Sequence, residues 1–218
     1  MILAIDQSYS GTGVCYIASD GRIEAGVIKT RPSMKWEERI DFILDNLDSF
    51  FDLSAIQMDN ASPVEYVVLE SYAFSRATSS VFQLGELGGI IKYHFHKKGI
   101  DVATMLIAHP KMFIACNGQA DKKEVMNGLR TKYGIEVKDD NIADAIAIGL
   151  TYYNYLIGNA TNKELAPYYR TVLRKVENYM KKEKGGDNER NTRRRAKSKE
   201  KSGKSNNRSI ISIRPEDF

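Results

Sequence analysis

Three acidic residues stand where a folded chain can put them to chemical use: Asp6, Glu70 and Asp144. Asp6 closes the apolar run MILAID, Glu70 closes EYVVLE, and Asp144 falls early in the Ala-rich segment NIADAIAIGL. Carboxylates with few other donors around them form hard oxygen sites that suit Mg²⁺ or Mn²⁺. A cluster of this kind can hold two divalent ions roughly 3.5–4 Å apart, one activating a water for in-line attack on phosphorus and the other stabilising the leaving 3′ oxygen. Asp140 and Asn141 precede Asp144 by four and three residues, so on a helix both share its face. Taken singly, each acid reads more readily as a strand-end residue or a helix cap. Two acids closing strands and a third opening a helix point to a site.

The elements that must position these residues can be read from periodicity. MILAID predicts a buried strand. Residues 11–18 and 22–29 predict two more, joined by Asp20-Gly21 as a two-residue hairpin turn, so that three antiparallel strands open the domain. Trp36, Ile40, Ile43, Leu44, Leu47 and Phe51 recur at helical spacing. Residues 65–70 predict a strand and 79–98 a helix whose Gly85, Gly88 and Gly89 would allow close approach to a sheet or a partner helix. A strand over 101–107, a helix over 122–133 with Asp121 as N-cap, a helix capped by Asp139 or Asp140 and running to Ile157, and a final helix over 163–183 complete the order. The pattern β-β-β-α-β-α-β-α-α predicts an α/β fold, a mixed sheet flanked by helices, with ligands gathered at strand carboxyl ends. Asp6 and Glu70 sit at two such ends.

Charge and composition bound the setting. From Lys184 to Phe218 there are 11 Lys/Arg against 5 Asp/Glu, while the rest of the chain carries 21 against 23. A mildly acidic body with a basic tail suggests a polyanionic partner; a tail that only confers solubility is the alternative. Residues 185–208 have almost no apolar side chains and are expected to stay disordered. The last ten, SIISIRPEDF, turn partly apolar, as a docking peptide or a frayed end. Cys15 and Cys116 are too few for a disulfide framework or a zinc site, and with no signal-peptide or membrane-span pattern they point to the cytoplasm. His94 and His96 would point in different directions on a helix, against a shared zinc; with His109 they read as surface or core residues.

Four segments in order, MILAIDQSYSGTGVCYI, YVVLESYAF, HPKMFIACNGQADKKEVM and NIADAIAIGL, resemble the RuvC-like Holliday junction resolvases, the phage versions above all. The resemblance covers about residues 1–154 and implies an RNase H-like mixed five-stranded sheet flanked by helices. It divides the chain into a nuclease domain over 1–158, a helical extension over 159–183 and a basic tail over 184–218. It implies metal-dependent incision of branched DNA, paired across a homodimer, with two Mg²⁺ or Mn²⁺ ions, in a bacterial cytoplasm and conceivably from a phage gene. Asp6, Glu70 and Asp144 match the family's acids. The first acid of its D-x-x-D pair falls on Asn141, whose amide oxygen can serve as a ligand, or Asp140 can replace it. Lys111 and Lys122 match lysines placed near the scissile phosphate. Lys122 and its neighbour Lys123 are alternatively plain first-turn surface residues. Tyr72 and Phe74 follow Glu70 where the family stacks an aromatic on junction bases, core packing being the alternative, and Arg76 can touch phosphate. Arg193, Arg194 and Arg195 would add non-specific affinity. The Gly85/Gly88/Gly89 helix is the candidate dimer interface.

Four other functions compete. Flap or general branched-DNA cleavage uses the same chemistry, and an RNA-containing substrate uses the same fold. A non-catalytic DNA-binding protein would explain Asn141. An actin-like or sugar-kinase ATPase opens with a similar strand, Asp and Gly/Ser/Thr loop, AIDQSYSGTG, but requires more length and a second Gly-rich loop.

Overall fold

The computed structural model describes residues 1–19, 21–57, 64–71, 79–159, 161–163 and 165–183, without side chains for 51–57, 79 and 80. Tyr72, Phe74, Arg76, Arg193, Arg194 and Arg195 lie outside the described residues. Contacts divide the chain into Met1–Met180 and Lys181–Phe218.

Largely apolar runs build β1 (Ile2–Asp6), β2 (Gly11–Ile17) and β3 (Ile23–Lys29), the first two buried along their whole length, and they pair antiparallel as expected. The hairpin between β2 and β3 differs from the two-residue turn. Ala18 N–H donates to Arg22 C=O, leaving three positions between them, and Gly21 N–H donates to Ala18 C=O with φ +86° at Gly21. A left-handed glycine after a tight turn is the three-residue solution, with the glycine one place later than a two-residue turn needs it. Next come α1 (Trp36–Gln57), β4 (Tyr66–Ser71), α2 (Ser79–Lys97) and β5 (Val102–Leu106). β4 runs parallel to both β1 and β5, so the sheet order is β3-β2-β1-β4-β5.

The chain then forms α3 (Ala108–Ala115), which the periodicity does not reveal. It is short, and Pro110 lies within it. A proline in the first turn removes an N–H that has no helical partner, so the helix tolerates it there. It ends at Cys116, the non-glycine residue with positive φ (60°), whose N–H reaches back to Met112 C=O. α4 (Lys122–Tyr133) opens with a reciprocal cap. Asp121 accepts from Glu124 N–H at 2.9 Å, and Glu124 accepts from Asp121 N–H at 2.8 Å. α5 (Asp140–Leu156) is capped by Asp139, and α6 covers 167–183.

Each face of the sheet buries its own core. Leu3, Ile5, Val14 and Leu69 pack with Ile43 and Leu47 of α1 and Leu87, Ile91 and Phe95 of α2. Ile2, Ala4, Cys15 and Val68 pack with α3, α4 and α5, and with Val172, Leu173, Val176 and Met180 of α6. Strand alternation therefore sends Asp6 and Glu70 to the α5 side and Gln7 to the α2 side.

α5 lies close on β1 and β2 because small residues face it. A Cβ on Gly149 would lie 3.0 Å from Ile17 Cδ1 and 3.3 Å from Ala4 Cβ. One on Gly13 would lie 2.1 Å from the main-chain oxygen of Asn141, whereas one on Gly11 meets side chains, Asn141 Nδ2 at 3.3 Å and Val27 Cγ2 at 3.7 Å. Gly13→Ala must shift backbone and is expected to destabilise the fold by about 3 kcal/mol, at the upper end of overpacking penalties. Gly11→Ala, meeting a side chain that can turn, should lose less than about 1.5 kcal/mol. Urea denaturation of the two variants checks the contrast; equal losses would mean that α5 does not press on Gly13.

Candidate metal centre

β1 and β4 are hydrogen-bonded neighbours in register up to Ile5 opposite Leu69, so Asp6 and Glu70 leave the sheet side by side. The first turn of α5, seated on Gly13, brings Asp144 to the same rim. Asp6 is almost wholly buried. Burial first, then the charges of Glu70 and Asp144 and a hydrogen bond to Glu70, push its carboxyl up to about 9. Glu70 is also raised, by burial first and by Asp144, while it accepts the Asp6 proton. Asp144 is raised by burial, against the opposing pull of Lys111 and Lys122. Burial and the neighbouring acids thus favour the protonated form of Asp6 in the metal-free cluster.

Cations ring these acids. α3 carries Lys111 into a small recess with Glu70 and Asp144, walled by Ile107, Pro110 and Val125. Its charge favours ionisation of both acids. Lys122, at the start of α4, acts on Asp6 and Asp144 and forms an ion pair with Asp140. Lys123 is exposed. The structure therefore commits Asp140 to Lys122. Asn141 is held by Asp139, whose Oδ1 accepts from the Asn141 main-chain N–H at 3.0 Å and from Nδ2 at 3.1 Å. The amide nitrogen being engaged, Asn141 keeps its oxygen as an acceptor. Asp139 also pairs with Lys29 at 2.8 Å, and Lys29 and Asn141 together lower its pKa.

Among the described residues, no three acidic, imidazole or thiol groups are gathered tightly enough to close on a cation as they stand. The donor set nonetheless fits a hard divalent ion. Two carboxylates stand side by side with a third acid close enough to raise both pKa values, a repulsion that a bound cation would relieve. The histidines serve elsewhere. His94 bonds Asp48 at 2.7 Å and His109 is buried against Tyr179. The loop after β1 also answers the ATPase reading. Ser8 Oγ accepts from the N–H groups of Ser10 and Gly11, and Thr12 Oγ donates to Ser8 C=O at 2.6 Å. Amides that a phosphate loop would offer to its ligand are satisfied inside this loop.

Sequence reasoning missed three contributors: Lys29, the Gln7 side chain behind Glu70, and Gly13. Of these only Gly13 carried a signal, a glycine paired opposite Asp6 inside an otherwise apolar strand.

The acids make a pH prediction. Asp6 has an ordinary value of 3.8 and about 9 in the folded protein, so between these pH values the folded state holds a proton that the unfolded chain has released. Its contribution to stability is full below about pH 4 and is lost as pH rises through 9. Glu70 and Asp144 shift in the same direction. The metal-free protein should therefore lose Tm as pH rises from about 5 to 9, and Asp6→Asn should flatten that slope. Mg²⁺, replacing the proton, should raise Tm more at high pH than at low pH. Differential scanning calorimetry checks both; parallel profiles for wild type and Asp6→Asn would refute the coupling.

Comparison with known proteins accords with this geometry. The family model described as "RuvC: Crossover junction endodeoxyribonuclease RuvC" matches residues 2–152. The RuvC of Prochlorococcus marinus (strain MIT 9312) is 30% identical over 161 residues, 70% of this chain and 96% of that protein. The RuvC of Brachyspira hyodysenteriae is 25% identical over 154 residues, covering 69% and 91%. Among solved structures, Thermus thermophilus RuvC has a TM-score of 0.54 at 24% identity, covering 72% of this chain and 96% of that one. The same protein in complex with Holliday junction substrate gives 0.56 at 24%, covering 71% and 93%. These two structures bear on the fold, an RNase H-like mixed five-stranded sheet flanked by helices. Since the family model spans well over half of its length, the chain belongs to the RuvC family, the crossover junction endodeoxyribonucleases.

Proposed function

We infer that this chain resolves four-way DNA junctions by metal-dependent paired incision, with Asp6, Glu70 and Asp144 as the carboxylates of its active centre. The observation that carries this reading is the placement of Asp6, almost wholly buried, and Glu70 at adjacent strand ends, with Asp144 near enough to act on both. Buried acids set against one another are unfavourable unless something cationic is to join them. Bound Mg²⁺ or Mn²⁺ ions, two in this reading, would activate the attacking water and stabilise the leaving 3′ oxygen. Asp6, Glu70 and Asp144 would hold them, with the Asn141 amide oxygen as a further donor.

The protein's own cations handle the DNA. Lys122 and Lys123 stand at the positive end of the α4 dipole, where cations weaken a helix. That placement makes sense for side chains that bind phosphate. Lys111, in the recess with Glu70 and Asp144, is placed to hold the scissile phosphate. Tyr72, Phe74 and Arg76 directly follow β4, where a stacking ring and a guanidinium would meet the junction centre. Arg193, Arg194 and Arg195, in the tail after 184, would add salt-sensitive affinity by releasing counterions. Among the described residues no helix is long and apolar enough to cross a membrane; the bacterial cytoplasm, where chromosomal or phage DNA is found, is the proposed location.

Paired incision needs two centres, and α2 offers the contact. Phe82 and Tyr93 are 67% and 65% exposed, and with Gly89 they fall on one helical face. A self-complementary patch of this kind suits a two-fold dimer. Tyr93→Glu should yield monomers by analytical ultracentrifugation and replace paired incision with isolated nicks; a variant that stays dimeric would remove α2 from the interface.

The activity is tested by cleavage of end-labelled four-way, flap and linear DNA with Mg²⁺ or Mn²⁺. Wild type should cut the four-way junction preferentially, and Asp6→Asn should lose at least about 10³-fold in rate, an effect of order 4 kcal/mol. Metal-independent cutting, or full activity of Asp6→Asn, would overturn the mechanism. Equal cutting of linear DNA would overturn junction resolution while leaving a nuclease.

A further inference from the structure

Gln7 follows the first metal-site acid but points the other way, into the core between the sheet and α2, and is only 6% exposed. Its Nε2 donates to the main-chain oxygen of Glu70 at 3.1 Å. A carbonyl can only accept, so this bond settles the amide orientation and turns Oε1 toward α2. There Gly88 comes so near that a Cβ would lie 2.7 Å from Oε1 and 3.1 Å from Nε2. Oε1 is buried and, among the described residues, has no hydrogen-bond partner. An unsatisfied buried acceptor is costly, so this amide is retained for what its other end does.

That other end replaces a missing rung. The β1–β4 ladder stops at Ile5 opposite Leu69, although β4 continues against β5 as far as Ser71. Past Leu69 the β1 side of β4 has no further ladder register, and it is there that Glu70 must hold its side chain beside Asp6. The Gln7 amide ties the two strand ends together one residue beyond the ladder.

We propose that Gln7 is a positioning residue that transmits the packing of α2, through Gly88, to the Glu70 carboxylate and so tunes the affinity of the centre for its cation. The inference rests on the metal-site reading above. α2 is also the proposed dimer helix, so the same link would let the partner-facing helix act on the chemistry of its own protomer.

Gly88 gives the means of testing it. The atoms that an alanine at 88 would strike are the far end of a flexible side chain, so Gly88→Ala should displace the Gln7 amide and leave the backbone in place. Gln7→Met keeps the volume and removes the donor. In full-length, DNA-free protein, Mn²⁺ binding is measured by calorimetry on wild type, Gln7→Met, Gln7→Ala, Gly88→Ala and the Gln7→Ala/Gly88→Ala double variant, with Tm recorded for each. Loss of an outer partner of a metal ligand weakens affinity about tenfold or more. Gln7→Met and Gly88→Ala should each weaken Mn²⁺ about tenfold, with junction affinity in Ca²⁺ unchanged and cleavage recovering at saturating Mn²⁺. Gly88→Ala should add nothing once Gln7 is alanine, since it acts only through that side chain. A folded Gln7→Met that binds Mn²⁺ like wild type, or losses that simply add in the double variant, would overturn the proposal alone. A wild-type protein that binds no Mn²⁺ would overturn the metal-site reading and this proposal with it.

Discussion

Where the first turn of α5 crosses β2, the main-chain oxygen of Asn141 comes so close to Gly13 that an added Cβ would lie 2.1 Å from it. Gly13 is the residue paired with Asp6. The helix start and the strand end are thus brought together across a position with no side chain, and Asp144 arrives at the Asp6–Glu70 rim as a result. Gly149 continues the fit two turns further on, against Ala4 and Cys15. A helix held off by one methyl group at either place would carry Asp144 away from its partners. The rest of the α5 side accommodates this seating. α4 closes on α3 at Gly128, where a Cβ would meet the Ile114 oxygen at 2.6 Å, and so brings Lys122 to the rim.

This packing forces like charges together. Hydrophobic burial on both faces of the sheet, from Leu3 and Ile5 on one side to Ile2 and Ala4 on the other, provides the free energy that lets the rim carry groups that repel. The consequence is a raised pKa for Asp6, Glu70 and Asp144 alike. Lys111 and Lys122 relieve part of the repulsion without neutralising it. Both are long and flexible, and Lys122 is held only by an exposed ion pair, an interaction worth little in water. The lysine can therefore release its carboxylate at small cost, whereas the acids cannot leave.

Much of this was legible beforehand, for identifiable reasons. Strands that end in acids and a helix that begins with one are local patterns, so the positions of Asp6, Glu70 and Asp144 followed from periodicity, as did the capping role of Asp121. α3 was not legible, because eight residues with a proline in the first turn look like a connection. The hairpin at Gly21 was misjudged by one position, since the same glycine serves two-residue and three-residue turns. Lys29 and Gln7 act through contacts that exist only after the sheet has formed. Gln7 meets residues 63 and 81 positions away, and no local pattern marks it. The interior glycines had a visible signal with an ambiguous meaning: small residues announce a close approach and do not say which element will approach.

Asn141 shows how neighbouring residues redistribute a charge. Three consecutive polar residues, Asp139, Asp140 and Asn141, open α5, and the structure gives each a different task. Asp139 caps the helix, fixes the Asn141 amide and takes the charge of Lys29. Asp140 faces Lys122. Asn141 lies against β2, the neighbour of the Asp6 strand, its carbonyl over Gly13 and its side chain over Gly11. An aspartate at 141 would add a negative charge to a rim whose acids already have raised pKa values, and it would compete with Asp139 for the same helix N–H groups. With the amide there, the negative charges of 139 and 140 are moved outward to lysines and the position keeps an oxygen donor. The departure from the family's pair of acids therefore leaves an oxygen acceptor at 141 and lowers the negative charge of the rim. A cation bound here would meet less negative charge than in a four-acid site, which increases its dependence on how well Glu70 and Asp144 are held.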